Sequence, residues 1–172
     1  MEIRYLSLED DFKEIGRIYE QSWKYAYKNI IPQSYLDSIS GDGWAGSIDR
    51  DNRTNLVMLE NGIMIGTSCI CRSRWESHAD YGEIVSLYFL PEYMGKGYGG
   101  KLLDRAVEEL ERRGFPKILL WVLEDNGRAR RFYEKHGFVC SEECKDEKIG
   151  GKKLREVMYE YRDKDTTNEK MR

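Results

Sequence analysis

Two short runs carry residue types at spacings that chemistry could use. The first is Leu87-Tyr88-Phe89-Leu90-Pro91-Glu92-Tyr93-Met94-Gly95-Lys96-Gly97-Tyr98-Gly99-Gly100, a strand-like stretch that enters a glycine-rich turn and then a helix. Helix N-termini carry unsatisfied N–H groups and partial positive charge. Glycines let the backbone curl round an anion without Cβ interference, so Gly95, Gly97 and Gly99 suggest a phosphate cradle. The second run is Asn126-Gly127-Arg128-Ala129-Arg130-Arg131-Phe132-Tyr133-Glu134-Lys135-His136-Gly137-Phe138. Asn126 is a suitable helix cap, and Tyr133 follows two turns later, so both project from one side of the helix. A tyrosine hydroxyl keeps its proton at neutral pH and can serve as a donor, although an amphipathic core aromatic would show the same spacing.

Three phosphate-binding patterns can be laid on the first run. Gly95 to Lys101 has the G-x-x-x-x-G-K spacing of a nucleotide-binding loop, but Leu102 stands where the Mg²⁺-ligating Ser or Thr belongs. A dinucleotide G-x-G-x-x-G fits Gly95, Gly97 and Gly100. The acidic residue that should follow about 20 positions on is replaced by Arg112, Arg113 and Gly114. The third pattern, Q/R-x-x-G-x-G/A, runs from Met94 to Gly99 and matches at Gly97 and Gly99, with Met94 in place of Gln or Arg. Taken with Asn126, Ala129, Tyr133, Gly137 and Phe138, the chain resembles the GNAT family of N-acetyltransferases. The likeness spans about residues 3 to 161, and its specific motifs lie in 83 to 138.

The resemblance implies an α/β fold: one GNAT-like domain with a mixed, mostly antiparallel sheet and a bulged central strand flanked by helices. It implies acetyl-CoA as co-substrate and no metal. The bulge would splay this strand from the next parallel one, Ile118 to Leu123, so that the pantetheine arm pairs with backbone groups of Leu87, Tyr88 and Phe89. A backbone N–H of that stretch would also polarise the thioester carbonyl. Met94, Gly95, Lys96, Gly97, Tyr98, Gly99 and Gly100 would hold the pyrophosphate, mainly through backbone amides. Asn126 would bond the pantetheine, and Tyr133 would protonate the leaving thiolate. Glu83, on the strand leading into the bulge, is the candidate base, acting directly or through water; a solvent-facing carboxylate is its plain alternative. Arg128, Arg130 and Arg131 would attract the 3′-phosphate or form a solvated basic face.

Acceptor choice falls to the N-terminal helices. Trp23, Tyr27 and Ile31-Pro32-Gln33-Ser34-Tyr35-Leu36 are similar to a segment of bacterial small-amine and polyamine acetyltransferases. Trp23 and Tyr27 share a helix face and could wall a cation site or simply pack in the core. Asp37, Asp42, Asp49 and Asp51 could attract a polycation but read best as solvated loop charges. The expected reaction is direct attack of a primary amine on acetyl-CoA in a ternary complex, with a peptide N-terminus or protein lysine as alternative acceptors. A CoA-binding module without transfer is the alternative from another class.

Composition sets the frame for these residues. The 172 residues suggest a single domain, 1–172, with a polar tail from about 162, and 40% hydrophobic content suffices for one core. A net charge of −3 speaks against nucleic acid as partner. No stretch reaches the roughly 18 apolar residues of a membrane helix, and the first residues lack a signal peptide's apolar segment, so a cytoplasmic setting is expected. Cys69, Cys71, Cys140 and Cys144 lack metal-site spacing and read as reduced thiols. The chain would be a monomer or homodimer.

Periodicity predicts the elements that position the two runs. A strand at Ile3–Leu6 precedes a helix capped by Ser7, with Phe12, Ile15, Ile18 and Tyr19 on one face, continuing through Trp23 and Tyr27. Pro32 to Ile39 reads as a second helix and Gly41-Asp42-Gly43 as a loop. Leu56–Leu59 and Ile63–Cys71 flank Asn61-Gly62, a strong hairpin signal, and Tyr81–Leu90 adds a third strand. An amphipathic helix through Leu110 stops at Gly114. Ile118–Leu123 is a strand covered on both faces, and the Asn126 helix ends at Gly137. Ile149-Gly150-Gly151-Lys152 turns a final hairpin.

Overall fold

A computed structural model of the chain describes residues 1–45 and 52–162. The strands are β1 (Glu2–Tyr5), β2 (Thr54–Glu60), β3 (Ile63–Arg72), β4 (Gly82–Phe89), β5 (Ile118–Leu123), β6 (Phe138–Ile149) and β7 (Lys152–Tyr161). They form one sheet in the order β1-β2-β3-β4-β5-β7-β6. Every pairing is antiparallel except β4 with β5. The helices are α1 (Phe12–Ala26), α2 (Gln33–Ser38), α3 (Gly41–Ala45), α4 (Tyr98–Arg112) and α5 (Gly127–Lys135). The expected α/β sheet and its mostly antiparallel character are observed. No helix among the described residues is long and apolar enough to cross a membrane.

Two local expectations are corrected. Asp11, rather than Ser7, caps α1: its side chain accepts from Lys13 N, while Ser7 is used in the preceding turn with Asp10. The stretch at Gly41 is a short helix, not a loop. Gly41 N donates to Glu20 Oε2 at 2.9 Å, and the Gly16 and Gly41 backbones lie too close for any Cβ between them, so contact with α1 organises α3. Elsewhere the local signals hold. Asn61 and Gly62 both adopt positive φ in the β2–β3 turn, and Gly114 and Gly137 do so after α4 and α5.

The sheet has an apolar layer on each side. Leu102, Leu103, Ala106, Val107 and Leu110 of α4 pack on Ile84, Phe89, Ile118, Leu120 and Val122. On the opposite face Ile15 and Ile18 of α1 meet Val57, Met64 and Leu90. Ile31 and Leu36 extend this second layer to Leu123 and Leu154.

The site depends on one irregularity. In the β3–β4 ladder Cys69 pairs with Ser86 and Ile70 with Ile84, so Val85 is an extra residue on β4. A bulge reverses which face the following side chains take. Ile84, Leu87 and Phe89 therefore pack with the α4 layer, whereas Ser86 and Tyr88 turn toward α1. The bulge coincides with a split: β4 and β5 pair only at Gly82↔Ile118 and Glu83↔Leu119. Beyond that point the strands part, and the expected wedge lies between them.

Candidate active site

The wedge is the mouth of a cavity of about 720 Å³ that passes through the gap between β4 and β5. One end is the turn before α4. Gly95 and Gly97 have φ of 76° and 83°, in the left-handed region where glycine is at ease. Gly97 is the N-cap of α4 and supplies no side chain, so the first N–H groups of the helix are left for a ligand. A Cβ on Gly100 would lie 2.6 Å from His136 Nε2, and one on Gly99 3.3 Å from the Phe132 ring. These glycines let α5 approach the turn, which brings the two sequence runs to one place. The uncapped helix start, the open space at Gly95 and Gly97 and the neighbouring strand gap fit a ligand with a pyrophosphate and an extended arm.

Of the residues expected to hold the co-substrate, Leu87, Tyr88, Phe89, Met94, Gly95, Gly97, Gly99, Gly100 and Asn126 all line the cavity. Two expected side chains point elsewhere. Lys96 lies over the Tyr93 ring, its Nζ 5.2 Å from the centroid, and the Tyr98 hydroxyl bonds Glu60. Neither residue is part of the cavity wall. Met94 contributes an apolar side chain to the wall where a polar donor would be usual. Arg128 lines the cavity and stacks on Tyr25, but Arg130 turns inward, donating to the Tyr159 hydroxyl at 3.0 Å and to Glu124 O at 3.2 Å. Arg130 is thus a structural side chain rather than part of a basic face.

Asn126 caps α5 by accepting from Ala129 N at 3.2 Å, which leaves its amide NH₂ as a donor at the cavity wall. Tyr133 lies further along the same helix, packed against Phe132 and Phe138 at ring separations of 5.3 and 5.8 Å. Its ring packs with the core and its half-buried edge meets the cavity. Among the described residues no hydrogen bond reaches its hydroxyl. Burial, with nearby Tyr88 adding to it, pushes the phenol well above its ordinary pKa, so the group stays protonated.

Glu83 does not reach this space. It precedes the bulge, where β4 and β5 are still paired, and its side chain is only 1% exposed. Arg74 N donates to Oε2 at 3.0 Å and Arg74 Nη2 to Oε1 at 2.7 Å, with Nε shared between both oxygens at 3.2 Å. These donors occupy both carboxylate oxygens and hold them away from the cavity, whose wall does not include Glu83. The expectation of Glu83 as base is therefore corrected: it anchors the β3–β4 connection.

The other end of the cavity is aromatic. Trp23 and Tyr27 meet edge-to-face at 4.8 Å, and Trp44 of α3 packs on Trp23 at 5.5 Å and on Tyr19 at 5.6 Å. Trp23, Tyr27, Tyr35 and Trp121 line this end together with Tyr88. The β6–β7 turn closes it: Lys152 Nζ donates to Ile30 O at 2.8 Å, and Gly150 sits against Tyr35 with no room for a Cβ. Asp37 is bonded by Gln33 at 2.8 Å on the surface, and Asp42 is exposed; neither lines the cavity. Asp49 and Asp51 lie outside the described residues.

Glu156 of β7 also lines the cavity and was not anticipated. A signal existed: the inward phase of β7 runs Leu154-Glu156-Met158, a carboxylate between two buried apolar residues. Trp121, Phe132 and His136 are further wall residues of this kind. The four cysteines are free thiols, and no group of three or more His, Cys, Asp or Glu suited to a metal occurs among the described residues.

Comparison with known proteins gives these features a context. The model of the acetyltransferase (GNAT) family matches residues 12–138. A spermidine N(1)-acetyltransferase of Thermoplasma acidophilum is 30% identical over 143 residues, 80% of this chain and 88% of its own. A [ribosomal protein bS18]-alanine N-acetyltransferase of Haemophilus influenzae is 29% identical over 128 residues, 74% of this chain and 75% of its own. Among solved structures, the PaiA N-acetyltransferase of Thermoplasma acidophilum in complex with coenzyme A superposes with a TM-score of 0.75 at 25% identity, covering 94% of this chain and 98% of that one.

Proposed function

The chain belongs to the GNAT family and is an acetyl-CoA-dependent N-acetyltransferase; from that premise we propose that it acetylates the primary amine of a small cationic acceptor of the polyamine type. The observation that carries this reading is the two-ended cavity. One end is the uncapped start of α4 beside the β4–β5 gap, and the other is a wall of Trp23, Tyr27, Tyr35 and Tyr88. Aromatic faces and a carboxylate suit an ammonium group. Their enclosure behind the β6–β7 turn favours a slender molecule.

In this reading the backbone of Gly95 to Gly100 holds the pyrophosphate of acetyl-CoA, and the β4 edge from Leu87 to Phe89 pairs with its pantetheine arm. Asn126 adds a side-chain amide to that arm. The bound thioester supplies the acetyl group. Tyr133 holds a proton at the hydroxyl that faces the gap and delivers it to the departing sulfur. Attack is direct, in a ternary complex. A cytoplasmic setting goes with the proposal, which the four free thiols support.

A second reading takes the α-amine of a protein as acceptor, and the Haemophilus relative at 29% identity favours it. The deciding experiment is acetyl-CoA-dependent thiol release with spermidine, free amino acids, an aminoglycoside and short peptides. Turnover with spermidine and none with peptides supports the first reading; the reverse result replaces it with the second. Coenzyme A binding without transfer to any of them would point to a binding module.

A further inference from the structure

Glu156 sits mid-strand on β7, opposite Leu123 of β5 on one side and Lys145 of β6 on the other. A carboxylate on an inward strand face is costly unless it meets positive charge. Lys145 Nζ is 2.7 Å from Oε2, and this ion pair is the contact that oxygen, buried from solvent, has among the described residues. The same ammonium lies over the faces of Trp75 and Trp121, at 4.1 and 4.9 Å from their centroids. The resident cation is thus divided between one carboxylate and two indoles. Glu156 retains 17% side-chain exposure and lines the cavity, with the Glu147 carboxylate within hydrogen-bonding reach beside it.

The titratable groups around it complete the picture. Lys145 and Glu147 face it from β6, Tyr27 from the end of α1 and Tyr88 from β4, while β5 presents uncharged Trp121 and Leu123. Tyr27 lies within electrostatic reach of Glu156, Tyr88 and Tyr133 alike. Carboxylate, aromatic wall and phenol therefore occupy one continuous region, unlike Glu83.

We propose that Glu156 receives the ammonium of the acceptor and accepts its proton, and that Lys145 is the counter-ion that keeps this carboxylate ionised. The proposal rests on the amine-acetyltransferase reading. One N–H bond of the ammonium breaks, its proton passing to the Glu156 carboxylate and leaving the electron pair on nitrogen. The amine then forms the C–N bond as the C–S bond breaks. Tyr133 gives its proton to sulfur and regains one from the acylated nitrogen, and Glu156 returns its proton to water. Each turnover releases one proton. Burial raises the proton affinity of Glu156 above that of an ordinary glutamate, with Lys145 opposing. Glu147, exposed at the cavity rim, adds a second carboxylate that fits an acceptor carrying another ammonium.

The test compares wild type, Glu156→Gln and Lys145→Met with spermidine and acetyl-CoA. It reads kcat/KM for spermidine against pH, spermidine affinity of the coenzyme A-bound protein by calorimetry, and KM for acetyl-CoA. Glu156→Gln is expected to weaken spermidine binding at least ~tenfold and to abolish the acidic limb of the profile, leaving KM for acetyl-CoA within about twofold. Lys145→Met is expected to shift that limb to higher pH, because removal of a nearby positive charge raises a carboxylate pKa. A purely structural Glu156 would change melting temperature and leave the limb in place. Unchanged affinity and limb in Glu156→Gln, with wild type active, overturns the assignment and spares the family reading. Wild type that binds coenzyme A but neither binds nor acetylates spermidine overturns both the polyamine reading and this role for Glu156. If Glu156→Gln does not fold, a fixed limb in Lys145→Met overturns the proposal by itself.

Discussion

Gly16 of α1 and Gly41 of α3 meet backbone to backbone: a Cβ added at Gly16 would come within 2.8 Å of the Gly41 carbonyl carbon and closer still to its oxygen. This contact seats α3, whose Trp44 packs on Tyr19 and Trp23 behind the aromatic end of the cavity. A backbone neighbour cannot rotate away as a side chain can. Gly16→Ala should therefore cost about 1–3 kcal/mol, the usual penalty for overpacking. The same variant should raise KM for the acceptor and leave KM for acetyl-CoA unchanged. Thermal melting and steady-state kinetics check the two halves separately.

Tyr133 offers a protonated hydroxyl at the gap, and its ring is held by Phe132 and Phe138. Tyr133→Phe keeps that packing and removes the donor. We expect kcat to fall at least ~tenfold, within the range general acids supply, while the acetyl-CoA dissociation constant stays within about twofold. Thiol release and calorimetry read these quantities. An unchanged kcat would remove Tyr133 from proton transfer.

Gly97 combines a φ of 83° with open space around the missing Cβ. Gly97→Ala thus tests the backbone alone, without a clash. Forcing alanine into the left-handed region costs roughly 1–2 kcal/mol, and relaxation of the turn would misdirect the first N–H groups of α4. A lower melting temperature together with weaker coenzyme A binding is expected. Loss of stability with binding intact would show that the turn is not the phosphate cradle.

Glu109 is buried on α4 with Arg112 bonded at 2.7 Å and Arg113 at 2.8 Å. The hydrogen bond from Arg112, against a desolvation cost, draws its pKa from an ordinary 4.5 to about 2. A depressed carboxylate contributes stability that is fully present above its unfolded value and lost as pH falls through the folded one. Glu109 should therefore contribute above about pH 4.5 and progressively less down to about 2. Glu109→Gln should be less stable than wild type at neutral pH, with the difference shrinking across that window. Urea unfolding at a series of acidic pH values would show a constant difference if the pairing carried no weight.

Much of the framework was legible because it rests on local chemistry. Asn61-Gly62 turns a hairpin since both residues tolerate positive φ, and Gly114 and Gly137 close helices for the same reason. The Asn126 to Tyr133 spacing placed a cap and a phenol on one helix side. The α3 helix was not legible, because Gly41 and Gly43 look like a loop until Gly16 and Glu20 are brought against them. Nor was the inward turn of Arg130, which depends on Tyr159 from a strand 29 positions later.

The sequence by itself determined the elements other than α3, the glycine-lined helix start and the phenol, since each depends on residues within two or three turns of one another. The tertiary structure decided which of Glu83 and Glu156 lines the cavity. Glu83 and Glu156 are both strand glutamates with apolar neighbours, and period-two alternation assigns each a face but not what lies against it. Where β4 and β5 part is set by the register of Cys69 with Ser86 and Ile70 with Ile84 across another strand pair. That register leaves Glu83 in the closed part, under Arg74, and opens the space beyond, onto which β7 brings Glu156. Pairing between distant strands, not the pattern within either one, separates an anchored ion pair from a carboxylate that can meet a ligand.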